Sequence, residues 1–411
     1  MTDPRGVRLL LVGDELLEGD ADERNRRPLA RAVAGRGGRV EGLRVVPDDE
    51  DRLSREVSAA LAEGLGVVVS GGLGPTDDDR TREGIASALG VELEVDESWV
   101  RRLERGERSD RPARQARLPA GSRLLENPHG TAAAFAGRAG RAWYLALPGV
   151  PEELRYLLDG PAGAFLDEVL PGEAPPRRRI GIAGVAESSV ARRLEGLGAL
   201  EDVRVASFPR RGVVDLELTA PPASAERSPE ERLAIAAEAV RRTFGPDVYE
   251  EGGRRLVEVV QDALRTAGDA VAVAESCTGG LLAAELTSVP GSSEVFWGAT
   301  VAYADAAKVE LLGVDPDLLR AHGAVSGETA RAMAEGVRRR SGAGWSAAVT
   351  GVAGPGGGSP GRPVGTVWIA VDGPEPTVRR HRFPGDRAEV RERSVHGALD
   401  LLRRSLGEAT G

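Results

Sequence analysis

The chain has 411 residues, a formal net charge of −10 and a hydrophobic share of 41%, length enough for roughly three domains of ordinary size. No run of about 18 apolar residues occurs and Met1-Thr2-Asp3-Pro4-Arg5 lacks an apolar signal region, so neither a membrane span nor a signal peptide is expected, and the expected location is cytoplasmic. One cysteine and four scattered histidines exclude an internal disulfide framework and a Cys/His metal site, and the acidic balance argues against a general nucleic-acid binder.

In chain order, an apolar strand over 7–12 runs into Gly13-Asp14-Glu15 and a helix around 28–34. A second buried strand, 67–69, ends in Gly71-Gly72-Leu73-Gly74-Pro75-Thr76-Asp77-Asp78-Asp79, and the next helix carries Ile85, Ala88 and Leu89. A strand at 143–147 closes on Pro148-Gly149-Val150-Pro151 before a helix over 152–158. Short apolar strands alternating with helical patterns predict an α/β unit with a parallel sheet and ligands at the carboxyl ends of its strands. The glycine loop before the three aspartates has two readings. Thr76 or Asp77 caps the next helix, or the carboxylates hold a divalent cation against a diphosphate that the loop approaches.

Pro171-Gly172-Glu173-Ala174-Pro175-Pro176 reads as a linker. A smaller α+β segment follows: a strand at 179–182, a helix over 188–197, a strand at 213–219, a Pro/Ser-rich loop at 221–229 and a helix over 231–244. A third unit begins near Glu251, with a helix over 256–267. Strands are expected at 270–274, 297–303, 347–350 and 365–371, interleaved with helices.

The third unit holds the densest chemistry. Its first strand ends in Glu275-Ser276-Cys277-Thr278-Gly279-Gly280 and passes into a helix over 281–286. Free backbone N–H groups at such a junction suit a phosphate or a developing oxyanion, although a helix cap equally explains Ser276 or Thr278. Pro290-Gly291-Ser292-Ser293 leads into the strand that ends at Tyr303. Asp305 reads as an N-cap that places Lys308 in the first turn of a helix to Leu312, where the dipole disfavours a cation. Lys308 is the single lysine against 53 arginines. Arginine supplies a solvated positive charge, but it cannot give up its proton near neutral pH as a base must. A serine with a lysine base and a tyrosine relay is a workable acyl-transfer set. The glycines from Gly351 to Gly358 permit close backbone approach to a ligand, and Arg387 in Pro384-Gly385-Asp386-Arg387 could clamp a carboxylate or phosphate. Cys277 is intrinsically more nucleophilic than a serine, yet no local base stands beside it.

AESCTGG, PGSS, VAYADAAK, HGAVS, TGVAGPGGGS, PVGTVW and FPGDR, in that order, closely resemble the C-terminal domain of the CinA family. The resemblance implies a nicotinamide mononucleotide deamidase, which hydrolyses the carboxamide to nicotinic acid mononucleotide and ammonia without a cofactor. It points to Ser293 or Ser276 as nucleophile, with Ser293 preferred, and to Lys308 and Tyr303 for proton transfer. Thr278, Gly279, Thr350, Gly351, Gly354, Gly356 and Arg387 would hold substrate.

GGLGPTDDDRT, NPHGTAAAF and LPGVPEEL look like the MoaB/MogA-type molybdopterin-binding fold that forms the N-terminal half of CinA proteins. That half implies a metal-dependent ADP-ribose pyrophosphatase, with Asp78 and Asp79 on a divalent metal ion. Glu15, Asn25, Asp48, Gly72, Gly74, Thr76 and Thr81 would stand around them. Two motifs depart from the family pattern: Gly13-Asp14-Glu15 replaces GTE, and Gly130 to Phe135 reads GTAAAF rather than GTAPGF. The expected architecture is therefore α/β: a three-layer MoaB/MogA-like domain over 1–170, a small α+β domain over 171–250 and the deamidase domain over 251–411. The expected partners are the two small nucleotides and a second copy in a homodimer, without nucleic acid or membrane. Two rivals stand beside this reading. In one, only the deamidase works and the N-terminal half is a binding or oligomerisation module. In the other, the protein is a non-enzymatic adaptor for DNA uptake or repair.

Overall fold

The computed structural model describes residues 5–105, 111–221 and 227–410, and the chain divides into two compact units, 1–174 and 175–411. The division falls inside the proline-rich linker. Most of the expected loop at 221–229, and the first four residues, lie outside the described residues.

The first unit is built on eight strands: β1 (Gly6–Val12), β2 (Arg39–Val46), β3 (Gly66–Ser70), β4 (Leu93–Val95), β5 (Arg117–Pro119), β6 (Arg123–Leu125), β7 (Ala134–Ala139) and β8 (Ala142–Leu147). Six of them form one sheet in the order β2-β1-β3-β8-β7-β6, and β4 pairs with β5 as a separate ribbon. β1, β2, β3 and β8 run parallel, whereas β7 is antiparallel to both β8 and β6. The expected parallel sheet thus carries an antiparallel margin. β1, β3 and β8 are buried along their whole length because helices cover both faces, which is why they read as unbroken apolar runs. Leu29, Val33, Leu154 and Phe165 pack on one face; Leu53, Val57, Ile85 and Trp99 pack on the other.

The second unit contains two sheets. The smaller joins β9 (Arg177–Ala183), β10 (Arg204–Arg210), β11 (Val213–Thr219) and β12 (Val248–Glu251) in the order β10-β11-β9-β12, all antiparallel. Helix Pro229–Phe244 packs Leu233, Ala236 and Val240 onto it, and starts with a capping box between Ser228 and Glu231. The larger sheet joins β13 (Val271–Glu275), β14 (Phe296–Val301), β15 (Trp345–Gly351), β16 (Thr366–Asp372) and β17 (Thr377–Arg382) in the order β14-β13-β15-β16-β17. β14, β13 and β15 are parallel; β16 and β17 are antiparallel. Helices Leu256–Ala267, Leu281–Thr287 and Arg387–Thr410 cover one face, and Gly327–Ser341 covers the other. Contacts therefore join the expected middle and C-terminal domains into one unit.

The chain leaves β13 toward β14 on one side and returns to β15 on the other, so β13 is a topological switch point. A crevice opens beyond the carboxyl ends of the strands at such a point.

Candidate active site

Ser276 follows β13 directly and lies between the ends of its two parallel neighbours. Its amide donates to Val349 O at 2.9 Å, and the Ala302 amide donates to Glu275 O at 2.8 Å. Tyr303 and helix Asp305–Leu312 come next after β14. Lys308 is 1% exposed, and its Nζ donates to Tyr303 O at 3.0 Å and lies 3.5 Å from Asp305 Oδ1. Asp305 is not the helix cap expected from the sequence. Ala304 holds that position, and Asp305 is the first helical residue. Ser276, Tyr303 and Lys308 therefore all follow the carboxyl ends of two adjacent parallel strands, where the crevice of the switch point is expected.

Glu275, fully buried, organises the loop. Its carboxylate accepts from the amides of Gly280, Leu282 and Ala283 at 2.9–3.1 Å. The helix N-terminus expected to receive a ligand is therefore largely satisfied from within. Two amides earlier in the loop, Cys277 and Thr278, have no backbone acceptor among the described residues. The Thr278 hydroxyl is buried without a hydrogen-bond partner. From the far side, Arg391 donates to Cys277 O at 3.1 Å and Thr278 O at 2.7 Å. Arg387 donates to Gly354 O at 2.7 Å and to the Tyr303 hydroxyl at 2.9 Å. Glu275 and Arg391 were not read from the sequence; the signal for Glu275 was a carboxylate at a strand end just before a helix start.

The other expected residues separate by what they touch. The Thr350 hydroxyl is taken by Ala324 O at 2.7 Å. A Cβ on Gly351 would stand 2.7 Å from Val367 Cγ2, so this glycine permits the β15–β16 approach. Gly354 has φ of +86°, while Gly279 and Gly356 lie at the loop surfaces. Burial pushes the Cys277 thiol up to about 12, which leaves it a protonated, inert group at neutral pH. Ser293 is not brought to the crevice of its own chain. It sits in a single turn, Ser292–Glu294, before β14, whereas Tyr303 and Lys308 follow that strand. Six strand residues put roughly 20 Å between the two ends.

In the first unit, the Asn25 Nδ2 donates to Ser70 Oγ at 3.1 Å and Gly149 O at 2.7 Å, tying the ends of β3 and β8 together, while its buried Oδ1 has no partner. Thr81 closes the glycine loop through Gly71 O at 2.8 Å and Gly72 O at 3.2 Å. Buried Arg82, also unread in the sequence, donates to Leu73 O and Gly74 O. Glu15 folds over Gly13, where a Cβ would stand 2.5 Å from its Oε1. Asp48 exchanges hydrogen bonds with the Asp14 backbone amide and side chain. Burial, with Asp14, Glu15 and Asp79 nearby, holds the Asp48 carboxyl above the usual carboxylate range.

The expected metal pair does not fit. Asp79 spends one oxygen on the Gly74 amide at 2.7 Å and the other on the Thr76 amide at 2.8 Å and the Thr76 hydroxyl. Asp78 is exposed, its carboxyl held below the usual range first by Thr76. Among the described residues no three His, Cys, Asp or Glu side chains are grouped to hold a metal ion. No described helix is long and apolar enough to cross a membrane.

Comparison with known protein families matches three segments of the chain. A CinA C-terminal domain matches residues 253–406, a probable molybdopterin binding domain matches 8–162, and a damage-inducible protein CinA KH domain matches 177–249. A CinA-like protein of Gemmatimonas aurantiaca is 39% identical over 98% of this chain and 97% of its own length. The chain belongs to the CinA family. A CinA-like protein of an Anaeromyxobacter species is 41% identical over 98% of this chain and all of its own length. The crystal structure of competence/damage inducible protein CihA from Agrobacterium tumefaciens is 41% identical over 37% of this chain and 93% of that one, with a TM-score of 0.36. As a CinA-family member the chain joins an N-terminal molybdopterin-binding-type unit to the C-terminal CinA domain, which carries the Ser276 crevice.

Proposed function

We propose that the C-terminal crevice hydrolyses the carboxamide of nicotinamide mononucleotide, with Ser276 as nucleophile. What supports this is the convergence of Ser276, Lys308 and Tyr303 beyond β13, with Arg387 reaching the same place. The Ser276 hydroxyl attacks the carboxamide carbon, and its proton passes to the Lys308 amine. The Cys277 and Thr278 amides face the developing oxyanion. Tyr303 relays the proton that ammonia carries away, and water then cleaves the acyl-serine to release the carboxylate. Arg387 leaves Gly354 O to clamp the substrate phosphate. The test is ammonia release from nicotinamide mononucleotide. Ser276→Ala and Lys308→Arg should each lower kcat by about 10²–10⁴-fold with the fold intact. Equal activity in Lys308→Arg would remove the lysine as base.

Ser293 enters this reading only through a second copy. β14 is the outer strand of its sheet, Phe296–Val301 carries no charge, and Trp297 is 57% exposed. An uncharged edge strand is a template for pairing. Pairing two such edges antiparallel and fully overlapped sets Ser293 against Ala304 of the partner subunit, next to the partner's Tyr303. Co-expressing inactive Ser293→Ala and Lys308→Arg chains would then restore about a quarter of the activity, because half the dimers regain one intact site. No recovery places Ser293 outside the site.

The described aspartates do not support metal-dependent cleavage of ADP-ribose by the first unit. Its glycine loop and the orphan Asn25 acceptor favour binding instead. Magnesium-dependent release of AMP from ADP-ribose by the full chain would reinstate hydrolysis.

A further inference from the structure

A second cavity lies in the 175–411 unit, between the turns of the smaller sheet and the pair β17 and helix Arg387–Thr410. It has a volume of about 490 Å³ and is lined by Gly184 and Gly212 on one side and by arginines on the other. This size falls in the range of small-molecule sites. The wall is tightly built: a Cβ on Gly212, whose φ is +102°, would stand 2.9 Å from His396 Cβ.

The charge around this cavity is unbalanced. Arg379, on the face of β17 turned to helix Arg387–Thr410, and Arg393 line it, and neither has an acidic partner among the described residues. Its lining carboxylate, Asp400, is already shared by Arg403 at 2.7 Å and Arg404 at 2.8 Å. The Arg393 Nε and the His381 Nε2 are both buried without a hydrogen-bond partner. Elsewhere the arginines of this unit bond freely with acids, as Arg254 does with Glu250 and Asp262. Two like charges at one partly enclosed space repel each other, and an anion between them relieves that repulsion. Guanidinium forks match phosphate oxygens in geometry as well as charge.

The remaining lining suits a flat ring. Phe383 lies in the wall, stacked on His381 with centroids 5.0 Å apart and an interplanar angle of 11°, and Leu401 adds an apolar surface. We propose that this cavity is a nucleotide site, with the phosphates held by Arg379 and Arg393 and the base placed against Phe383 and Leu401. It is separate from the Ser276 crevice, yet the same helix serves both. Arg387 and Arg391 at its start bond the crevice loops, and Arg393 and Asp400 follow on that helix.

The test is equilibrium dialysis of the full chain with radiolabelled ADP, without metal. It compares wild type with Arg379→Gln/Arg393→Gln, two positions of the cavity wall outside the catalytic crevice. Wild type should bind one equivalent more than the double variant, or that equivalent about tenfold or more tightly. Inorganic pyrophosphate should compete for this equivalent, and adenosine should not. Equal melting temperatures of the unliganded proteins show that the variant is folded. Identical binding isotherms for both proteins would overturn the proposal, as would competition by adenosine but not by pyrophosphate. Because binding is counted rather than turnover, the result stands apart from whether Ser276 is the nucleophile.

Discussion

Glu275 satisfies three backbone amides with one buried carboxylate, and hydrogen bonds to charged groups are the stronger kind. Glu275→Ala should lower stability by about 3 kcal/mol or more, read as the shift in urea midpoint, because the amides are left buried and unpaired. Cys277 gives a pH signature of its own. Its thiol is pushed up to about 12 in the native protein, whereas an unfolded thiol ionises near about 8.5. Between those values the unfolded chain gives up its proton and the native chain keeps it, so this residue's contribution is full below about 8.5 and lost as pH rises toward 12. Cys277→Ala should flatten the decline of stability above pH 8.5 relative to wild type. Asp48 has the same sign at lower pH. Its carboxyl is raised by burial and by acidic neighbours, so ionisation costs stability as pH rises through its folded value. Asp48→Asn should raise the melting temperature at pH 7, and the gain should vanish below the usual carboxylate range.

At the scale of elements, β13 decides the crevice because in its own sheet it alone has parallel neighbours on both sides. The close β15–β16 approach can be tested at Gly351. In Gly351→Ala the new Cβ meets Val367 Cγ2 and Thr366 O at 2.7 and 2.8 Å, which should cost about 1–3 kcal/mol, measured by thermal unfolding. What was legible in the sequence follows the same geometry. The runs LLLV, VVV and WYLAL announce β1, β3 and β8 because both of their faces are covered. β2, β10 and β17 escaped notice because edge strands carry arginines and exposed positions, as in RVASFPR and TVRRHR, and these read as surface. Within the site, Lys308 and Tyr303 were legible from composition and motif. The separation of Ser293 was not, since adjacency in sequence says nothing of which end of a strand a residue occupies. Asp79 misled for a related reason: a carboxylate after a glycine loop looks like a ligand for a cation, and here it is the clasp of the loop itself.

At the scale of the molecule, the division near Ala174 gives each part its own core, while 175–411 holds two sheets as one unit. A chain beginning at Pro175 should therefore fold alone with a cooperative thermal transition, and its melting temperature should match the corresponding transition of the full protein within a few degrees. The burial of Lys308 has a consequence for any protease that cuts only after lysine. The sequence offers it a single bond, and the lysine beside that bond is 1% exposed and set in a helix. The native chain should pass through such digestion whole. Each molecule that opens should yield two fragments and no others, so the rate of their appearance is a direct clock for the opening of the C-terminal CinA domain.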